Sequence, residues 1–374
     1  MLNNKFLAIV LFAVTLSGCQ TTAQRLKENV PSGQHLLKDQ LFPTAGEFNI
    51  ISEEEIFAID DKMVKMVEEE ISSKLDFDAQ SKALVSWVYS NTAGGVNYDA
   101  AATIPARDAF HRNRANCLSL TILTQVLAEE AGLKAEFQQI QIPEYWYRQG
   151  EYNLLAGHVN LRLKGFTKRD YQVVYGSLDL EIDFDPYSIR QHFRKTVIER
   201  NTILAMYYNN LAGQALVDKE YDKAYAYLKA SIEEDEYFSS AWANLGLLYK
   251  FNEHLELAEA TYRHALLVEP KNMNLMDNLA ILLAQTNRKA ESNELKAKIQ
   301  RKREDNPYYY AMLADQALFQ DKLTKAEKYF KRAIRLNGKE HEFYFGLAKV
   351  YFKQGDIERS KRLMKKAIKH NNFY

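Results

Sequence analysis

A recurrence of about 34 residues through the second half of the chain limits its fold more than any other feature. The clearest unit starts at Ser239 and carries Trp242, Leu245, Gly246, Tyr249, Ala258, Tyr262, Ala265 and Pro270. One period earlier stand Tyr208, Leu211, Ala212, Ala224 and Leu228. A later unit shows Tyr310, Leu313, Ala314, Ala326, Phe330 and Ala333, and the next Tyr344, Leu347, Ala348, Tyr351, Met364 and Ala367. Between them, Leu279, Ala280 and Ala290 mark a degenerate unit. Small residues at Gly246 and Ala258 let paired helices approach closely, and Trp242 and Tyr262 fill the wedge between them. No helix pair buries its apolar face alone, so the units must stack on one extended core.

In spacing and residue type these units resemble the tetratricopeptide repeat. The resemblance implies an all-α solenoid over residues 205–374, with five repeats of which the third is degenerate. In such repeats, positions two, five, nine and twelve of each first helix usually line the concave face. Carried over in phase, they include Asn209, Lys250, Asp277, Tyr308, Asp315 and Lys349. Their mixture of amide, acid, amine and aromatic groups implies a protein or peptide partner. The alternative is a groove filled by the chain's own linker or its preceding domain. The basic last helix, 359–369, reads as a solvated cap.

The N-terminus reads as a targeting segment. Lys5 precedes an apolar run over 6–16, too short to span a bilayer comfortably. Leu16-Ser17-Gly18-Cys19 resembles a bacterial lipobox, which implies a signal peptide over 1–18 and lipidation of Cys19. An ordinary secretory signal that happens to contain Cys is the alternative. Acyl chains anchor at ~0.8 kcal/mol per buried methylene. Gln20, in place of Asp, implies by resemblance to sorted lipoproteins the outer membrane of a Gram-negative cell, facing the periplasm. Residues 19–52 are polar, include Pro31 and Pro43, and read as a tether.

The middle segment, 53–192, begins with helical apolar spacing over 53–69 and 78–91, broken at Gly94-Gly95. A helix is expected from Cys117 to about Ala131, stopping at Gly132. Then the period becomes two: Val159, Leu161 and Leu163 alternate with His158, Asn160 and Arg162. Leu178, Leu180, Ile182 and Phe184 likewise alternate with Asp179, Glu181, Asp183 and Asp185. His158 and the acids therefore fall on the polar faces of strands. The chain has only two cysteines, so lipidation of Cys19 would leave Cys117 without a disulfide partner. Unpaired N–H groups at a helix start favour a thiolate. A strand-borne imidazole takes a proton, and a carboxylate orients it.

Residues from about 86 to 187 resemble the transglutaminase-like fold, a papain-related cysteine-enzyme superfamily. The matching pieces are Trp87, Asn97-Tyr98, the run 107–110, Asn116-Cys117-Leu118-Ser119, Ala131-Gly132-Leu133, Gly157-His158-Val159 and Ile182-Asp183-Phe184-Asp185-Pro186. Ala115 stands where the family usually has Gly two before its nucleophile. The resemblance implies an α+β domain of helices with a small antiparallel sheet, and catalytic roles for Cys117, His158 and either Asp183 or Asp185. His111, six residues before Cys117, is a weaker competitor because the chain order is wrong.

Composition narrows the rest. Lys plus Arg equals Asp plus Glu at 49 each, so no basic field exists to hold nucleic acid. Tyr (23) and Phe (19) far exceed Pro (7), which suits packed helices rather than disorder. No phosphate-cradling loop, dinucleotide fingerprint or paired metal ligands appear, and no cofactor is implied. The run Asp179, Glu181, Asp183, Asp185 reads as a solvated strand face. Two functions compete: a cysteine protease, amidase or acyltransferase acting on amide bonds, and a non-catalytic periplasmic adaptor using both domains to bind protein.

Overall fold

A computed structural model describes residues 30–90, 102–112, 114–142, 144, 146–149, 152–155, 157–169, 172–175, 179–184 and 193–370. Cys19, Asn97, Tyr98 and Asp185 lie outside these residues.

The N-terminal part is helical and then antiparallel. Short helices α1 (Glu53–Ile56) and α2 (Asp61–Met66) start at side-chain caps: Ser52 forms a capping box with Glu55, and Asp60 accepts from the backbone of Lys62 and Met63. A π-helical turn (Val67–Ser72), α3 (Phe77–Val88) and α4 (Ala106–Arg112) follow. Helix α5 (Cys117–Glu130) buries every residue from Leu118 to Ala128, as a helix enclosed by other elements should. Around it lies a four-stranded sheet of β1 (Ala135–Ile140), β4 (Val159–Leu163), β7 (Leu180–Ile182) and β8 (Lys195–Ile198), ordered β7-β4-β1-β8. All pairs are antiparallel; Phe137 faces Leu161 across β1–β4, and Leu161 faces Ile182 across β4–β7. Two hairpins stand apart from it: β2 (Trp146–Gln149) with β3 (Tyr152–Leu155), and β5 (Phe166–Arg169) with β6 (Gln172–Tyr175).

Ten helices in five pairs form the C-terminal part. They are α6 (Arg200–Val217), α7 (Tyr221–Glu234), α8 (Ser239–Phe251), α9 (Leu255–Val268), α10 (Met273–Gln285), α11 (Lys289–Arg303), α12 (Pro307–Phe319), α13 (Leu323–Leu336), α14 (His341–Lys353) and α15 (Ile357–His370). Trp242, Leu245, Tyr249, Ala258, Tyr262 and Ala265 are all fully buried. A Cβ on Gly246 would come within 2.6 Å of the Tyr262 ring, which explains the glycine. Lys219, Glu253, Asn287, Asp321 and Gly355 take positive φ, one per repeat and one repeat length apart. Each ends a first helix in the left-handed geometry that closes α-helices. Asn287 keeps the third unit in phase, so its degeneracy lies in residue types and not in backbone. Among α11 residues only Ser292, Ile299 and Arg303 are buried.

Two sequence expectations change. The first domain does not stop at 192: β8 pairs with β1 and runs within two residues into α6. Moreover Ile203, Leu204, Tyr207 and Tyr208 of α6 share one core with α5, β1, β4 and β7. Short β8 has weak alternation, so it left no period to read. Nor are residues 30–52 a free tether. Leu36 and Phe42 are buried among repeat residues, and the Phe42 ring stacks on Tyr225 at 4.4 Å. The Tyr249 hydroxyl donates to Leu36 O at 2.5 Å, and Tyr225 and Lys229 both donate to Asp39. Leu37, Leu41 and Ala45 pack beside these two anchors, and such short apolar pairs show no period in the sequence.

Candidate functional site

Cys117 opens α5. Its cap, Asn116, accepts from the Ser119 amide at 2.9 Å and donates to Thr103 Oγ1 at 2.7 Å. Ser119 Oγ in turn accepts from the Ile104 amide at 2.9 Å, so residues 102–104 are fastened to the helix start. Cys117 itself is half-buried and outside any disulfide.

His158 immediately precedes β4, and its carbonyl accepts from the Ile140 amide at 3.0 Å. Asp183 immediately follows β7. The β4–β7 register sets Asp183 opposite Asn160, two residues beyond His158 and on its face of the sheet. His158 Nε2 lies 2.7 Å from Asp183 Oδ1. Asn160 Nδ2 donates to the other carboxylate oxygen at 3.4 Å, and the Tyr89 hydroxyl donates to the Asp183 carbonyl. Cys117 is near enough to the imidazole to favour its charged form. With Nε2 committed to Asp183, Nδ1 is the nitrogen left for sulfur. Burial opposes a charge on His158, but the Asp183 carboxylate and then Cys117 outweigh it and push the imidazole up to about 10.

The polar strand face is solvated only in part: Glu181 is exposed and Asp179 half-buried, whereas Asp183, contrary to expectation, is enclosed. His158, Asn160, Gln138 and Asp183 are each at most 5% exposed, and the acidic run divides by partner. Asp179 accepts from the Gly165 amide, Glu181 pairs with Lys195, and Asp183 serves His158. His111 is engaged elsewhere, 2.6 Å from Asp60. Sequence reasoning missed Asn160 and Tyr89 as supports of Asp183. The two-residue period already set Asn160 beside His158, whereas nothing local to Tyr89 points to Asp183.

The groove residues fare unequally. Asn209 accepts from Asn244 at 2.8 Å. Lys250 is half-buried, and burial lowers its ammonium pKa. Lys349 is exposed, 4.6 Å from the centre of the Phe345 ring. Asp315 is half-buried. Tyr308 is a correction: it is only 5% exposed, its ring meets Phe343 edge-on and its hydroxyl bonds Glu340, so it packs rather than presents. Asp277 pairs with Arg303 at 2.9 Å. Arg303, only 1% exposed, also grips Glu144, from the connection between β1 and β2, through Nε at 2.7 Å and Nη2 at 2.9 Å. One position expected to line the groove is therefore tied, through Arg303, to the chain's own N-terminal domain.

Comparison with known proteins bears on the repeats. The tetratricopeptide repeat family model matches residues 239–272, 307–340 and 341–372. No curated protein matches the chain. Among solved structures, "Crystal structure of YrrB: a TPR protein with an unusual peptide-binding site" is 17% identical, over 45% of this chain and 86% of that one, at a TM-score of 0.26. "Functional Characterization of Pseudomonas Aeruginosa pilF" is 18% identical over 46% and 79%, at 0.29. "MamA 41-end from Desulfovibrio magneticus RS-1" is 14% identical over 44% and 94%, at 0.26. The C-terminal part of this chain is an all-helical tetratricopeptide solenoid, a scaffold for binding protein.

Proposed function

We propose that the chain is a cysteine-nucleophile enzyme acting on amide bonds of a protein or peptide, with its repeats as the partner-binding scaffold. The observation that supports this reading is the buried His158–Asp183 pair, with Cys117 near enough to favour the charge on that imidazole. In the reaction, Cys117 Sγ bonds to the substrate carbonyl carbon while the adjoining C–N bond breaks. The His158 imidazolium gives its proton to the departing amine. The Cys117 backbone N–H, free of an intrahelical acceptor at the helix start, is available to the oxyanion. The neutral imidazole then takes a proton from water, or from an acceptor amine, which attacks the thioester and frees Sγ. Asp183 holds the ring throughout. Its backbone carbonyl is fixed by Tyr89 and its second carboxylate oxygen by Asn160.

The transglutaminase-like resemblance supports the same chemistry, with Asp183 as the orienting acid. Cys19 as a lipidated N-terminus, and an outer-membrane location facing the periplasm, belong to this proposal. Mass spectrometry of the mature N-terminus tests them: a lipid increment on a peptide starting at Cys19 is expected, and an unmodified start elsewhere defeats them.

Catalysis is tested by incubating the protein with a Gln- and Asn-containing peptide library and reading intact mass. A thioester adduct on Cys117 that hydroxylamine removes is expected, and it should vanish in Cys117→Ser and His158→Ala. No adduct, with Cys117 alkylation by iodoacetamide equally fast in wild type and His158→Ala, would leave the non-catalytic adaptor as the function.

A further inference from the structure

The contact between the hairpin end and the third and fourth repeats has the composition of a ligand site. Arg303 closes α11 and is held from behind by Asp277 of α10 at 2.9 Å. Its guanidinium meets the Glu144 carboxylate through two nitrogens, at 2.7 and 2.9 Å. That fork fits a planar carboxylate far better than a point charge does. Asn306, the cap of α12, donates to the Glu144 main-chain carbonyl at 3.0 Å while its own Oδ1 accepts from the helix. Two residues on, the Trp146 ring lies 4.9 Å from the guanidinium carbon, which also stands 5.3 Å from the Tyr309 ring. Trp146 and Tyr309 are 6.3 Å apart. The repeat side therefore contacts an acid, its main-chain carbonyl and an aromatic at the second following position. Such a set recognises an extended peptide.

Location adds to this. Asp277 stands at a position where the repeat resemblance expects the concave face, and Glu144 belongs to a connection in the other domain. A contact serving packing alone between those parts would need no buried arginine with two carboxylate partners. Replacing such a pair by apolar residues is often neutral or stabilising.

We propose that Asp277, Arg303, Asn306 and Tyr309 form a peptide-binding site for an acidic-x-aromatic segment, occupied in the resting chain by its own Glu144 and Trp146. The trans ligand is a protein segment with that pattern, and it binds by displacing the hairpin end. This rests on the repeats' being a protein-binding scaffold and is independent of chemistry at Cys117. A tethered ligand acts at an effective concentration of roughly millimolar, so the resting chain hides the site from weaker or dilute competitors.

The test uses the full chain with Glu144→Ala and Trp146→Ala together, titrated with a capped, labelled peptide of residues 141–149, QIPEYWYRQ. The vacated variant is expected to bind it about tenfold more tightly than wild type, or better. A peptide with Gln at its fourth position should lose that gain, and Asn306→Ala in the vacated chain should reduce it. Equal affinity of vacated and wild-type chains, or of the Glu and Gln peptides, would overturn the proposal. If the vacated variant lacks a cooperative melt, hydrogen exchange of the wild-type chain decides. Faster exchange at 146–149 and 152–155 with excess peptide supports displacement, and unchanged exchange overturns it. Thiol reactivity of Cys117 is measured in parallel, so failure here leaves the enzyme reading untouched.

Discussion

His158 Nε2 and Asp183 Oδ1 stand 2.7 Å apart, with both side chains almost wholly enclosed. An imidazole so placed stays protonated through neutral pH, because its pKa is raised from 6.5 to about 10. The linkage has a definite sign. A raised histidine pKa contributes stability that is fully present below about 6.5 and is lost as pH rises through about 10. The His158 ring resonances should therefore not titrate between pH 5 and 8 by NMR, whereas in Asp183→Asn they should move into or below that range. Denaturant melts should show wild-type stability falling above neutral pH, with a shallower fall in Asp183→Asn.

The left-handed residues at the repeat turns make a second prediction. Glu253 and Asp321 carry side chains at φ 63° and 55°, where glycine meets no steric cost. Glu253→Gly should raise stability by about 1 kcal/mol in urea melts, and Gly355→Ala, at φ 82°, should lower it by a similar amount. Asp321→Gly should gain less, since aspartate tolerates this region and its carboxylate pairs with Lys353. Asn287→Gly should change little, since asparagine tolerates this region.

Helix contacts in the solenoid allow no added carbon at two glycines. Gly246→Ala forces a Cβ to 2.6 Å from Tyr262, and Gly346→Ala drives one into Phe330. Each should cost about 1–3 kcal/mol by thermal or urea melting. Tyr262→Leu should suppress the cost of Gly246→Ala in a double-mutant cycle, which a backbone effect would not do.

The strap is open to proteolysis only if it lifts. Phe42 is 3% exposed and stacked on Tyr225, so Phe42→Ala should cost about 3 kcal/mol or more and release the segment from the repeats. Limited trypsin digestion should then cut at Lys38 in Phe42→Ala, well before wild type. Equal cutting in both would show that the Phe42 stack does not hold the strap.

The repeats were legible because their helices approach through small residues at fixed spacing, and that spacing survives in Gly246, Ala258 and Ala265. The sides of β4 and β7 were legible for a similar reason, since Leu161 and Ile182 cannot face the same way as Asn160 and Asp183. What period two cannot say is whether a polar face meets water, so the burial of His158 and Asp183 was not foreseen. Contacts between distant parts left no local trace. Glu144 and Arg303 are 159 positions apart, and neither has a pattern around it that names the other. Leu36 and Phe42 hide differently, in two apolar pairs, Leu36-Leu37 and Leu41-Phe42, too short to show a period. Catalytic roles were read from a resemblance and from residue order, and they stand as a proposal that the adduct experiment decides.

Helix α6 belongs to two cores at once, with Ile203, Leu204, Tyr207 and Tyr208 in the first and Ala212, Ala215 and Leu216 in the second. In inheritance this makes the junction indivisible. A crossover placed anywhere within α6 would hand each descendant half a helix and an open core. The repeats could be passed to another protein only together with a surface shaped to receive the near end of α6, so they spread as a graft with its rootstock and not as an interchangeable cassette.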